Sequence, residues 1–153
     1  MKVTIIAMGR LQKGPHMELI ENYQKRLPWP VTIKELDIKK PAQRAEDRKA
    51  QEAEKLLQAL PPAAAIIALD ERGKDLSSRQ LASKIENFQD SGIKDLAFFI
   101  GGADGLDASI RSKAHLVLGL GNLTWPHMMV RSMLMEQIYR SWSILNNHPY
   151  HRD

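Results

Sequence analysis

Leu96-Ala97-Phe98-Phe99-Ile100-Gly101-Gly102-Ala103-Asp104-Gly105 is an uninterrupted apolar run halted by a loop in which three of five residues are glycine. A strand buried on both faces reads as such a run rather than as an alternation, and doubly buried strands belong to parallel sheets covered by helices. Working outward, residues 64–69 form a second run of the same kind, ending in Asp70-Glu71-Arg72-Gly73-Lys74. Residues 3–8, 31–36 and 115–118 read as further strands. Between them lie polar segments of helical length. Residues 15–27 open on Pro15, which suits a first helical turn, and repeat Met17, Ile20 and Tyr23 on one face. Residues 42–60 read as a solvated amphipathic helix carrying Ala50, Ala53, Leu56, Leu57 and Leu60, and residues 78–89 as a third helix. A short helix follows Gly105, and a last one runs from the 119–126 loop to about residue 146. Pro28-Trp29-Pro30 and Pro61-Pro62 end the first two helices. The alternation predicts an α/β fold with a mostly parallel sheet flanked by helices.

The chain has 153 residues, 43% of them hydrophobic, which is one domain, 1–153, with enough chain for a real core. A net charge of +4 and a pI near 9.4 permit an anionic partner without requiring one. Absence of cysteine excludes a disulfide framework, a thiolate nucleophile and a cysteine metal site. The apolar run at the start is too short to span a membrane and no small-residue cleavage site follows it, so a cytoplasmic setting is expected.

The glycines need a ligand-free explanation before a functional one. Gly9 and Gly14 have P-loop spacing, but Pro15 stands where the phosphate-binding lysine should follow. Gly101-Gly102-Ala103-Asp104-Gly105 departs from G-x-G-x-x-G and has no acidic residue about twenty positions on, which excludes a Rossmann dinucleotide site. Taken alone, both are tight turns. Gly119-Leu120-Gly121-Asn122-Leu123-Thr124-Trp125-Pro126 is different, because it is long for a connection in a small domain and mixes glycines, polar groups and a large aromatic. It can wrap an adenosine, or Trp125 can simply plug the core. Two such loops on what read as neighbouring strands favour a ligand pocket.

The closing His148-Pro149-Tyr150-His151-Arg152-Asp153 packs two imidazoles, a phenol and a guanidinium into six residues. These are the groups needed to hold a phosphate or base and move a proton. Two histidines three apart on a proline-bearing segment are poor metal geometry, and no third ligand is evident, so no metal is expected. His16 and His115 read as structural, the basic run 39–49 as a solvated helix face that could brush an RNA backbone, and the methionines of the last helix as core or dimer packing.

The strand ending in Gly9, the Leu69-Asp70 strand end, Phe98-Phe99-Ile100-Gly101-Gly102-Ala103-Asp104-Gly105-Leu106, Leu123-Thr124-Trp125-Pro126-His127, Val130-Arg131, Glu136-Gln137-Ile138-Tyr139-Arg140-Ser141-Trp142 and Asn147-His148-Pro149-Tyr150-His151-Arg152-Asp153 together resemble the RlmH family. The resemblance covers essentially the whole chain, and the closing motif is its most specific part. It implies a SPOUT-type fold with a C-terminal trefoil knot, which general topology rules would not anticipate. It further implies S-adenosyl-L-methionine as cofactor, and methylation of N3 of a pseudouridine in large-subunit (23S) ribosomal RNA, on assembled ribosomes. The implied partners are a second copy of the chain and ribosomal RNA, with no membrane and no metal.

By the same resemblance the cofactor lies against Leu69, Gly101, Leu120, Gly121, Asn122, Leu123, Thr124 and Trp125, and the tail lies over the pocket near the subunit interface. Removal of the N3 proton needs a base or a cation near the developing anion. His151 is the candidate for proton handling, Arg152 for anion or phosphate stabilisation, and Tyr150 for holding an extruded base. His127, Arg131 and Arg140 are expected to position the RNA backbone. The competing readings are the same chemistry on another RNA and a noncatalytic RNA-binding module, which need not bind the cofactor.

Overall fold

A computed structural model describes residues 1–153. The elements, in chain order, are β1 (Lys2–Met8), α1 (Pro15–Arg26), β2 (Val31–Leu36), α2 (Ala45–Gln58), β3 (Ala65–Asp75), α3 (Ser78–Asp90), β4 (Asp95–Ile100), α4 (Ala108–Lys113), β5 (Leu116–Gly119) and α5 (His127–Leu145). The five strands form one sheet in the order β2-β1-β4-β3-β5, every neighbouring pair parallel. The α/β class read from the apolar runs is what forms. No helix is long and apolar enough to cross a membrane.

Strand side chains alternate between two cores. Val3, Ile5, Ala7, Leu96, Phe98 and Ile100 face α1, α3 and α5, where Ile20, Leu81, Ile85, Leu134 and Ile138 meet them. Ile6, Met8, Ala97 and Phe99 face α2 and α4, against Ala53, Leu56 and Ile110. Phe98 and Phe99, adjacent in sequence, thus fill opposite cores and are fully buried, so truncating either to alanine costs about 3–5 kcal/mol.

Three details differ from the sequence reading. The second helix is trimmed to Ala45–Gln58, because Ala42 and Gln43 give their carbonyls to the Arg48 side chain instead of to helical amides. The strand after the second proline pair runs on to Asp75, through the charged residues that read as a turn. Leu69 and Lys74 both pair with Leu118, so residues 70–73 bulge from the ladder before β3 resumes beside β5. Gly73 permits this, since a Cβ there would stand 2.5 Å from the Leu118 carbonyl carbon and 2.6 Å from the Gly119 nitrogen. Finally, the two glycine-rich loops do not leave neighbouring strands: β3 lies between β4 and β5, so its end, Leu69-Asp70, sits between the loops.

Candidate active site

Ligands of open α/β sheets bind beyond the carboxyl ends of the strands. There a cavity of 280 Å³ opens between the ends of β3, β4 and β5 and the start of α5. Leu69, Gly101, Leu120, Gly121, Leu123, Thr124 and Trp125 all line it, whereas Asn122 of the same loop is exposed and outside the lining. Gly101 is required by packing, since a Cβ would stand 2.8 Å from the Gly105 carbonyl that the loop folds back against it. The 119–126 loop is braced twice: within it, Trp125 Nε1 donates to the Leu120 carbonyl at 2.9 Å, and from the end of β3 Asp75 accepts from the Gly121 amide at 3.0 Å. Trp125 therefore neither plugs the core nor floats free. It and Leu123 remain 37% and 72% exposed while lining the cavity, large apolar surfaces left open to a ligand.

Asp70, at the strand end, is a functional group that the sequence alone does not single out. Its carboxylate, 5% exposed, lines the cavity and is held by the Arg72 amide at 2.8 Å and by Arg111 at 3.4 Å. His127 lines the cavity too, rather than an open RNA groove. Its buried Nδ1 has no hydrogen-bond partner. Burial lowers the imidazole pKa, and the nearby Arg131 charge lowers it further. Arg131 cannot reach an RNA phosphate as placed. It is 2% exposed, donates to the carbonyls of Met8 at 2.8 Å and Gly9 at 2.9 Å, and pairs with Glu35 at 2.7 Å. It ties the end of β1 to α5.

The tail is ordered by the end of α5. Asn147 takes a left-handed conformation, φ 53°, while the amides of Asn147 and His148 return to the carbonyls of Ile144 and Ser143. This closing motif turns the chain back along the helix. Tyr150 then donates to Glu136 at 2.8 Å and accepts from Tyr23 at 2.9 Å, its ring edge-on to Tyr139 with centroids 4.7 Å apart. Burial first, then these bonds, raises the phenol pKa far above its usual value, so Tyr150 stays protonated and is no base. Glu136 also holds Arg140, whose Nη1 stands 3.1 Å from His151 Nδ1. Arginine has only donors, so Nδ1 accepts, and the Nε2 proton of His151 points to Asp153 at 3.2 Å. Asp153 in turn pairs with Arg79 of α3, which brings its carboxyl to about 2. Arg152 is exposed.

Tail and cavity do not meet within one chain. Glu136, where Tyr150 docks, lies nine residues along α5 from His127, roughly 14 Å at the helical rise. Between them, across the shared wall of Leu118, Leu120 and Gly121, lies a second cavity of 650 Å³ bounded by α1, the start of α3 and α5. The roles of Glu136, Tyr23, Arg79 and Asp153 could not be read from the sequence, since only the turn at Asn147 brings them together.

A parallel five-stranded sheet with a cofactor-sized cavity at its carboxyl end sets the comparison with known proteins. Residues 1–151 match the family model described as predicted SPOUT methyltransferase, which defines the class. Among solved structures, a probable methylase family protein from Haemophilus influenzae Rd KW20 superposes with a TM-score of 0.59 at 13% identity, covering 99% of this chain and 70% of that one. That likeness concerns the fold. Curated relatives named ribosomal RNA large subunit methyltransferase H, from Rhodospirillum centenum and Paramagnetospirillum magneticum, are 48% and 45% identical, each alignment spanning 99% of both chains. The chain belongs to the RlmH family of SPOUT methyltransferases.

Proposed function

We propose that this protein transfers a methyl group from S-adenosylmethionine to N3 of a pseudouridine in 23S ribosomal RNA of the large subunit, on assembled ribosomes. The observation that carries the proposal is the cavity at the ends of β3, β4 and β5, with its two glycine loops, in a chain that matches the RlmH relatives end to end. The lining suits the cofactor: open apolar surface on Leu123 and Trp125 for an adenosine, Asp70 and Glu71 carboxylates for a cation, and an unpartnered polar atom on His127. When bound, S-adenosylmethionine supplies an electrophilic methyl on a sulfonium.

The chain's own work is alignment, exclusion of water and management of one proton. Leu69, Leu120 and Trp125 wall the reacting centre. Tyr150, protonated, hydrogen-bonds to or stacks on the extruded base, while Arg152, free of the tail network, faces the anion that develops as the N3 proton leaves. His151 takes that proton once its Nδ1 lone pair is released from Arg140. Arg140 holds the RNA backbone, while Arg131, locked in the core, and His127, in the cavity wall, leave that set.

Because the tail lies away from its own chain's cavity, we assign it to the cavity of a second copy. Leu19, 47% exposed, and the half-buried Met129 and Met133 line the second cavity and give that copy an apolar seat. The proposal includes the trefoil knot, formed by threading the C-terminal part of the chain through a loop, and the cytoplasmic setting of a ribosomal substrate. Substituting Tyr150 by Phe, or His151 or Arg152 by Ala, should cut turnover while leaving cofactor affinity near the wild-type value. Unchanged turnover in all three would overturn the tail assignment.

A further inference from the structure

The 101–105 loop lines the cavity on one side and meets α2 on the other. Its internal closure is slight, a single Gly105 amide donating to the Gly102 carbonyl at 3.0 Å. What fixes it comes from outside. Arg48 grips Asp104 with two parallel bonds, Nε to Oδ2 at 2.8 Å and Nη2 to Oδ1 at 3.2 Å, the fork geometry that lysine cannot reproduce. Its remaining Nη1 donates to the carbonyls of Ala42 and Gln43, so one guanidinium joins the start of α2 to the loop. One turn on, both Glu52 carboxylate oxygens stand 2.8 Å from the place a Gly102 Cβ would occupy. Burial and the Asp104 charge push the Glu52 carboxyl up, opposed by Arg48 and the Gly102 N–H. Ala53 and Leu56 anchor the same helix in the core.

We infer that Arg48 and Glu52 of α2 are positioning residues for S-adenosylmethionine, acting through the 101–105 loop that they hold from behind. The inference rests on reading the cavity as the cofactor site. Neither residue lines the cavity, while Gly102 and Asp104 do. A loop with three glycines in five residues loses much conformational freedom when a ligand fixes it, and a clamp that has already fixed it removes that cost from binding.

The test is calorimetric titration of the full-length protein with S-adenosylmethionine, repeated with S-adenosylhomocysteine, together with turnover at saturating cofactor. R48A and E52A should each weaken binding roughly tenfold and leave kcat unchanged. R48A combined with D104A should bind no more weakly than the worse single variant. Gly102→Ala supplies an independent handle, because its backbone conformation suits any residue and the added methyl meets only the end of a flexible side chain. It should weaken binding as E52A does and add nothing on the E52A background, which keeps the test readable should R48A lose stability. Wild-type affinity in R48A, E52A and G102A, with binding lost in W125A, would refute the clamp and leave the cofactor site standing. Failure of the wild-type protein to bind either compound would overturn both.

Discussion

Arg131 carries a full charge into the core, and its three partners are two backbone carbonyls and Glu35 at the ends of β1 and β2. Removing one member of a buried pair strands the others, so Arg131→Met should lower stability by about 3 kcal/mol, visible as a fall in the thermal midpoint. A phosphate-binding role would instead leave the midpoint alone and flatten the salt dependence of RNA binding. In the sequence, Arg131 and Arg152 look alike as basic residues beside functional motifs. Only the packing of α5 against the end of β1 makes one structural and leaves the other free. The tail residues were legible as chemistry, through their density of titratable groups, but their partners were not. Asp153 illustrates the consequence. Its folded carboxyl, near 2, is depressed by Arg79 below its ordinary 3.8, so the stabilisation is present above about pH 4 and is lost as pH falls through 2. The carbon-13 shift of the Asp153 carboxyl should titrate near 2 and return toward 3.8 in Arg79→Gln; a midpoint already near 3.8 in the unsubstituted protein would contradict this anchoring.

At the scale of elements, strands with continuous apolar runs and the helix opened by Pro15 were legible because their causes are local; the structure adds a reciprocal cap on α3, formed by Ser77 and Gln80. The second half of β3 was not legible, because Asp70-Glu71-Arg72-Gly73-Lys74 has no strand pattern: residues 70–73 bulge out, and only the pairing of Lys74 and Asp75 with Leu118 and Gly119 of β5 resumes the strand. Gly73→Ala would drive a methyl into backbone that cannot yield and should cost about 3 kcal/mol, at the upper end of overpacking penalties, with hydrogen-exchange protection lost first in β3 and β5. His127 has its pKa lowered below the usual 6.5 by burial and by Arg131, and the helix N-terminus disfavours a cation there too. It is therefore neutral at pH 7 and charges only as pH falls below 6.5. A cationic cofactor should then bind more weakly as pH drops through that region, and His127→Gln should abolish the dependence, as calorimetry at pH 5 and 7.5 would show.

For the whole molecule, strand order decides function more than any single element. Placing β3 between β4 and β5 brings Leu69 and Asp70 between two loops that are far apart in sequence, an arrangement of crossovers that composition and periodicity do not encode. Placing the tail beside α1 and α3 separates it from that cavity, and in the proposed dimer the second copy supplies the contact. Mixing a tail-defective variant, R152A, with a cofactor-defective one, W125A, should therefore regenerate activity that neither shows alone, whereas no recovery would mean that each chain works by itself. The central claim is the identity of the reaction, and its most direct measurement is transfer of labelled methyl from S-adenosylmethionine to assembled ribosomes, free large subunits and naked ribosomal RNA, each with and without pseudouridine. Label on N3 of pseudouridine, confined to pseudouridine-containing ribosomal particles, is the expected result; no label on any of them, with cofactor binding intact, would contradict it and move the target to another RNA.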